Sequence, residues 1–258
     1  MKYNYHTHTF RCHHAQGEDE EYVLKAIEAG YEEIGFSDHC AWPFENYVSH
    51  IRMTVEEIED YTESVKRLRE KYKDKISIKL GWECEYFENH IDWLRETVQK
   101  YGFDYLILGH HYSHYELGGF YTGNSTTKEE IESYKDDLIK AMDTGLYSYI
   151  AHPDLFFREY GRFDEDAERV SGEIIKKAIE TNTPLEYNLL GLSRSKADNK
   201  PGYPYPDFWR MAGKMGAKAV IGIDAHFPEA YLWEELREEA TENLKELGIE
   251  LAREIRMF

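Results

Sequence analysis

The sequence predicts an α/β protein built on a parallel sheet, and three observations carry that prediction. Short apolar runs take turns with stretches of helical periodicity, in about seven β-α units. No composition break, linker, low-complexity segment or repeat interrupts the series, so the 258 residues read as one domain. No strand-order reversal and no glycine-rich first turn mark an open, doubly wound sheet. Closure into a barrel follows, an architecture that commonly has this length.

The elements can be justified in order. Within Met1-Lys-Tyr-Asn-Tyr-His-Thr-His8, apolar rings alternate with polar residues, which suits a strand. Asp19 to Gly30 reads as an amphipathic helix, acidic at its start and stopped by glycine. Glu33 to His39 is the second strand. Thr54-Val-Glu-Glu57 resembles a capping box and opens a helix to about Lys73. Ile76 to Glu83 is the third strand, followed by a helix over Ile91 to Tyr101. Asp104 to His111 is the fourth, with a glycine-containing loop behind it and a helix from Lys128 to Thr144. Tyr147 to His152 is the fifth strand, and a helix from Asp164 to Thr181 leads to the sixth, Pro184 to Asn188. A helix over Pro206 to Met215 precedes the last strand, Ala219 to His226, and helices fill the chain from about Glu229 onward.

Composition narrows the function classes. The formal charge is −19, from 31 basic and 50 acidic residues, which argues against nucleic acid or an anionic membrane as partner. A small anionic substrate then needs local positive charge from metal or placed arginines. No run approaches the ~20 apolar residues of a membrane span, and no signal peptide precedes the first strand. Three cysteines, Cys12, Cys40 and Cys84, form no Cys-x-x-Cys pair and read as buried filler. Their odd number fits a reducing compartment, so the expected location is cytoplasmic.

Metal-capable side chains recur where strands run into loops. His6 and His8, two residues apart in a strand, project to the same side. His14 lies just beyond them, His39 ends the second strand and Glu83 the third. His110 and His111 end the fourth, His152 the fifth, and Asp224 with His226 the last. In parallel α/β folds those strand ends share one face, which in barrels carries the active site. Scattered structural histidines have no reason to keep such a rule. The nitrogen and oxygen donors suit Zn, Mn or Fe. Eight or nine ligands are too many for one ion and suit two or three, with Glu83 or Asp224 able to bridge. Clustered divalent ions polarise a phosphoryl oxygen and ionise water at neutral pH.

Taken together, His6-Thr-His8, Ser37-Asp-His39, Gly81-Trp-Glu83, His111, His152-Pro-Asp154 and Asp224-Ala-His226 resemble the motifs of the PHP (polymerase and histidinol phosphatase) superfamily, in order and along the whole chain. Length and stand-alone architecture are most similar to its histidinol-phosphatase branch. The resemblance implies a distorted seven-stranded (β/α)7 TIM-like barrel and a trinuclear metal centre that hydrolyses phosphoester bonds. The implied ligands are His6, His8, His14, His39, Glu83, His111, His152, Asp224 and His226. Family spacing favours His14 over His13, and the spacing from Asp104 favours His111 over His110. Arg158 and Arg194, in loops after the fifth and sixth strands, match arginines that grip the substrate phosphate, which suits a guanidinium fork. Asn188 and Tyr115 are further candidates for substrate contact. Leu189-Leu190 depart from the smaller, more polar residues of relatives.

The implied activity is hydrolysis of L-histidinol phosphate to histidinol and phosphate, in histidine biosynthesis. Asp154, Asp224 and His226 are the catalytic candidates, with Asp154 or a site histidine supplying the leaving group's proton. No Cys-x5-Arg, Gly-x-Ser-x-Gly or Gly-x4-Gly-Lys-Ser/Thr motif offers another phosphatase chemistry. The competing readings are a metal-dependent phosphoesterase on another substrate (small phosphate, phosphodiester or phosphotyrosine protein) and a non-catalytic metal-binding protein.

Overall fold

The computed structural model describes residues 2–252 and 254–258; Met1, at the head of the first predicted strand, and Arg253 lie outside the described residues. The chain divides into two compact units. The first comprises residues 2–107, 223–234 and 256–258, and the second residues 108–222, 235–252 and 254–255.

In the first unit β1 (Tyr3–Asn4), α1 (Asp19–Glu28), β2 (Glu33–Phe36), α2 (Ile58–Tyr72), β3 (Ser77–Cys84), α3 (Ile91–Tyr101) and the start of β4 (Tyr105–Leu108) follow in order. The strands are parallel, with Tyr3 opposite Glu33 and Glu33 opposite Ser77. Asp104 N–H donates to the Leu80 carbonyl at 2.7 Å, which sets β4 beside β3. The expected capping box is present: Thr54 and Glu57 satisfy each other's backbone and start a 3-10 turn that leads into α2. Strand glycines allow a ring to lie across the sheet. A Cβ on Gly35 would sit 2.2 Å from Tyr105 Oη, and one on Gly81 2.3 Å from Tyr105 Cζ. The buried Tyr105 hydroxyl reaches the Tyr5 carbonyl at 2.7 Å and so ties β4 to the segment carrying His6. The stretch beginning at Ile223 returns to this unit. Thr7 and Ala225 form a parallel bridge, with His8 N–H to Ala225 O at 2.9 Å and Ala225 N–H to His6 O at 3.1 Å.

The second unit takes over at Leu108, whose carbonyl accepts from Ala151 N at 2.9 Å. Its elements are β5 (Tyr112–Ser113), β6 (Phe120–Tyr121), α4 (Lys128–Asp143), β7 (Tyr149–Ile150), α5 (Phe157–Tyr160), α6 (Glu165–Glu180), β8 (Leu185–Asn188), α7 (Leu189–Asp198), α8 (Pro206–Met215), β9 (Lys218–Gly222), α9 (Glu234–Glu246), which begins at the last residue of the first unit, and β10 (Glu250–Leu251). Parallel pairing runs from β7 through β8 and β9 to β10, with Ile150 opposite Leu185, Leu185 opposite Ala219 and Glu250 opposite Lys218.

Several expectations are corrected. The described residues hold eight strands in parallel-sheet order rather than seven. The eighth is β10: Gly248, at φ 71°, stops the helical run that was expected to continue. The loop after β4 contains an antiparallel hairpin, β5–β6, with Tyr115 in its turn. Arg158 sits in the one-turn helix α5, and Arg194 on α7 rather than in a loop. α7 escaped the sequence reading because Asn188 ends a strand and caps a helix at once: its side chain accepts from Gly191 N at 2.8 Å.

Candidate metal centre

Seven of the nine expected ligands fall in the first unit, at the ends of β1, β2 and β3 and in the returning stretch after Ile223. His6, His8, His39, Glu83 and Asp224 are buried, and His14 and His226 form the more open side. His6 Nε2 and His8 Nε2 are 3.2 Å apart. Glu83 divides its oxygens between them, Oε1 lying 3.4 Å from His6 Nε2 and Oε2 3.4 Å from His8 Nε2. Asp224 Oδ1 is 3.5 Å from the first ring and 3.2 Å from the second. His39 Nδ1 approaches Glu83 Oε2 at 3.1 Å. Two donors on one tetrahedral ion, each at ~2.0–2.1 Å, are separated by about 3.3 Å, so these spacings suit shared coordination.

The rim makes the same point through proton positions. His14 Nδ1 lies 2.7 Å from the Cys12 carbonyl and His226 Nδ1 3.0 Å from the Asp224 carbonyl. A carbonyl only accepts, so both Nδ1 atoms carry the proton and both Nε2 atoms present lone pairs. Those Nε2 atoms face each other at 3.0 Å. Two lone pairs so close repel unless a cation sits against them. The donor set therefore fits a divalent ion. Burial, reinforced by the charge of His8, pushes the pKa of His14 down and that of His226 to about 3, so both rings stay neutral.

His8 behaves oppositely. Burial opposes its charge, but the nearby carboxylates of Asp224, Asp38 and Glu83 raise its pKa to about 9. Burial likewise opposes ionisation of Asp224, yet His6 and His8 hold its carboxyl well below the usual range. Asp224 also sits at φ 59°, a left-handed conformation that aspartate tolerates better than most residues.

The sequence reading missed Asp38 as a functional residue, although the motif Ser37-Asp38-His39 contains it. Its buried carboxylate faces His8 Nδ1 at 3.5 Å and accepts from His39 N at 2.8 Å and Thr9 N at 3.2 Å. A carboxylate behind an imidazole fixes the ring's orientation and basicity. Cys12 Sγ lies within 4.8 Å of ligand atoms of His8 and His226. Burial pushes its thiol pKa far up, so it contributes no ready thiolate.

The remaining expected residues belong to the second unit. His111 and His152 have ring centroids 4.9 Å apart, and His111 stacks parallel to Tyr121. Of the adjacent pairs, His14 rather than His13 reaches His226, while His110 turns to Asp137 at 3.2 Å. His13 is exposed in the left-handed region at φ 65°. Arg158 is exposed and lies over the Tyr121 ring, with Nη1 3.4 Å from its hydroxyl. Arg194 is exposed, with Nη1 3.3 Å from the Tyr203 hydroxyl. Asp154 is buried and accepts from Tyr205 N at 2.6 Å and Trp209 Nε1 at 3.1 Å. Burial raises its pKa to about 7 against those hydrogen bonds. Tyr115 is half-buried, and Asn188 is buried with its amide donating to Glu186 at 2.9 Å.

Comparison with known proteins agrees with this chemistry. A family model described as the PHP domain matches residues 4–189. A "Probable histidinol-phosphatase" from Deinococcus radiodurans is 28% identical over 232 residues, 86% of this chain and 85% of that protein. A "Histidinol-phosphatase" from Lactococcus lactis is 25% identical, over 87% of this chain and 84% of its own length. The crystal structure of a histidinol phosphate phosphatase from Lactococcus lactis, complexed with zinc, L-histidinol and phosphate, superposes with a TM-score of 0.75 at 19% identity. It covers 100% of this chain and 98% of that one, so the fold is shared.

Proposed function

This chain belongs to the PHP domain family, and from that premise we propose that it is a metal-dependent phosphomonoesterase acting on L-histidinol phosphate. The observation that carries the proposal is the set of imidazoles and carboxylates in the first unit, whose ring nitrogens oppose one another at 3.2 Å in its buried part and 3.0 Å at its open side. The substrate is carried over from the relatives' names.

In this reading two or three divalent ions (Zn, Mn or Fe) are held by His6, His8, His14, His39, Glu83, Asp224 and His226, with His111 and His152 as the family's remaining two ligands. Such ions supply Lewis acidity toward a phosphoryl oxygen and lower the pKa of water. The chain's own residues do the rest. Asp38 keeps the His8 proton on Nδ1 and leaves Nε2 to ligate. Asp224 joins His6 to His8, and the Asp224 carbonyl orients His226. Arg158 and Arg194 hold phosphate oxygens through their guanidinium forks, with Tyr115 and Asn188 as further substrate contacts. A proton for the leaving alkoxide comes from Asp154 or a site histidine. For Asp154 the donor is Oδ1, since Oδ2 already accepts two hydrogen bonds. The single domain and the cytoplasmic location expected from the sequence belong to the same proposal.

The test is phosphate release from L-histidinol phosphate, beside a generic aryl phosphate and a cyclic nucleotide. Metal-restored preference for histidinol phosphate is expected. Metal-dependent turnover of only the other two would overturn the substrate, and no turnover with any metal would favour a non-catalytic metal-binding protein.

A further inference from the structure

The second unit contains a buried carboxylate with no role in the chemistry above. Glu186, on β8, is fully buried. Its Oε2 accepts from the backbone N–H of His152 at 3.0 Å and from Asn188 Nδ2 at 2.9 Å. Its other oxygen occupies the space beside Gly222: a Cβ there would lie 1.8 Å from Oε1, so only glycine on β9 admits the carboxylate.

Both partners of Glu186 need holding. His152 sits at φ 30°, a strained conformation for a non-glycine residue that persists only where its surroundings enforce it. Asn188 caps α7, its side-chain oxygen accepting from Gly191 N at 2.8 Å. One turn further along α7, Arg194 reaches the Tyr203 hydroxyl at 3.3 Å, and the Tyr203 ring meets that of His152 at 5.9 Å. The contacts close on themselves, from His152 through Glu186, Asn188, α7, Arg194 and Tyr203 back to His152.

We infer that Glu186 is a positioning residue that fixes the His152 backbone and the start of α7 as one unit, so that the His152 imidazole and the Arg194 guanidinium keep a set spacing. The inference rests on the reading of His152 as a metal ligand and Arg194 as a phosphate-binding residue. Glu186 belongs to none of the His, Cys, Asp and Glu groups among the described residues that could hold a metal ion. Its oxygen satisfies two buried donors, one on each of the segments it joins.

The experiment uses the full chain reconstituted with manganese. It measures metal bound per chain and the affinity for inorganic phosphate by calorimetry, for the parent and for Glu186→Ala, Glu186→Gln, His152→Ala, Arg194→Ala and the Glu186→Ala/Arg194→Ala pair. Glu186→Ala is expected to weaken phosphate binding about tenfold or more and to lower bound metal, the usual scale for loss of an outer partner. Glu186→Gln, which keeps an oxygen for both donors, is expected to restore both. The pair is expected to lose less phosphate affinity than the sum of the two single losses, because part of the effect of Glu186 passes through Arg194. Parent-like metal and phosphate binding in Glu186→Ala, or additive losses in the pair, would overturn the inference. Parent-like phosphate binding in Arg194→Ala, or parent-like metal in His152→Ala, would instead overturn the underlying reading and this inference with it. Should Glu186→Ala not fold, Asn188→Asp carries the test: it keeps the cap acceptor of α7 but sets an oxygen against Glu186, so it should lower bound metal through His152, which loss of a substrate contact would not do, and parent-like metal would overturn the inference.

Discussion

Three imidazoles of the first unit, those of His8, His14 and His226, have a group placed behind their second nitrogen. Backbone carbonyls of Cys12 and Asp224 take that place for His14 and His226, and the Asp38 carboxylate faces the nitrogen of His8. Replacing His8 or Glu83 with alanine is therefore expected to remove bound metal and turnover together, measured on the same samples; retention of both by either variant would contradict the ligand assignment. The pH dependence of the metal-free protein follows from His8. Its pKa rises from 6.5 to about 9 on folding, so its stabilisation is fully present below 6.5 and is lost as pH climbs through about 9. The contribution is on the order of 3 kcal/mol. Denaturation of the metal-free chain at pH 6 and pH 9 should show that loss, and His8→Gln should lack it. Most of this site was legible in the sequence, because period-two spacing puts His6 and His8 on one side. Asp38 was not, because a carboxylate behind a ligand carries no spacing signal of its own.

At the scale of elements, helices were easier to read than strands. α3 and α8 have the expected limits, since an apolar stripe and a glycine stop at Gly102 and Gly216 define both ends. β3 has its expected length and runs through Glu83, but the other strands are shorter than expected because the chain leaves the ladder before reaching the ligands. β2 ends at Phe36, and the His39 backbone pairs with that of Glu83 in an isolated bridge beyond it. That early departure puts His6, His8 and His39 on loops anchored by strands, while Glu83 stays within β3. The hairpin β5–β6 and β10, two residues per strand, are too short to show alternation. Glycines within strands were unexplained in the sequence and find their reason in Tyr105. Gly81→Ala would drive a methyl group into that ring and is expected to cost roughly 1–3 kcal/mol or more of stability, measured by denaturant unfolding, with Gly35→Ala behaving alike. A neutral effect at both positions would contradict the packing of Tyr105.

At the scale of the whole molecule, the charge of −19 sets the terms on which an anionic substrate is met. The acidic excess repels phosphate, so attraction has to be local, from bound metal and the arginines. Among the described residues no helix is long and apolar enough to cross a membrane. Metal binding should also appear as stability, because ions that bind only the folded chain raise its unfolding free energy by about 2.7 kcal/mol at a hundredfold excess over Kd. Chelation is thus expected to lower Tm, and Zn, Mn or Fe to restore it.

The most direct test of a catalytic metal centre titrates metal back into the depleted chain and reads bound ions per chain and histidinol phosphate turnover on the same samples. Turnover is expected to be negligible without metal and to rise in step with binding, to a plateau at about two to three ions per chain. Full turnover in the metal-free protein, or turnover that does not follow bound metal, would contradict a catalytic metal centre.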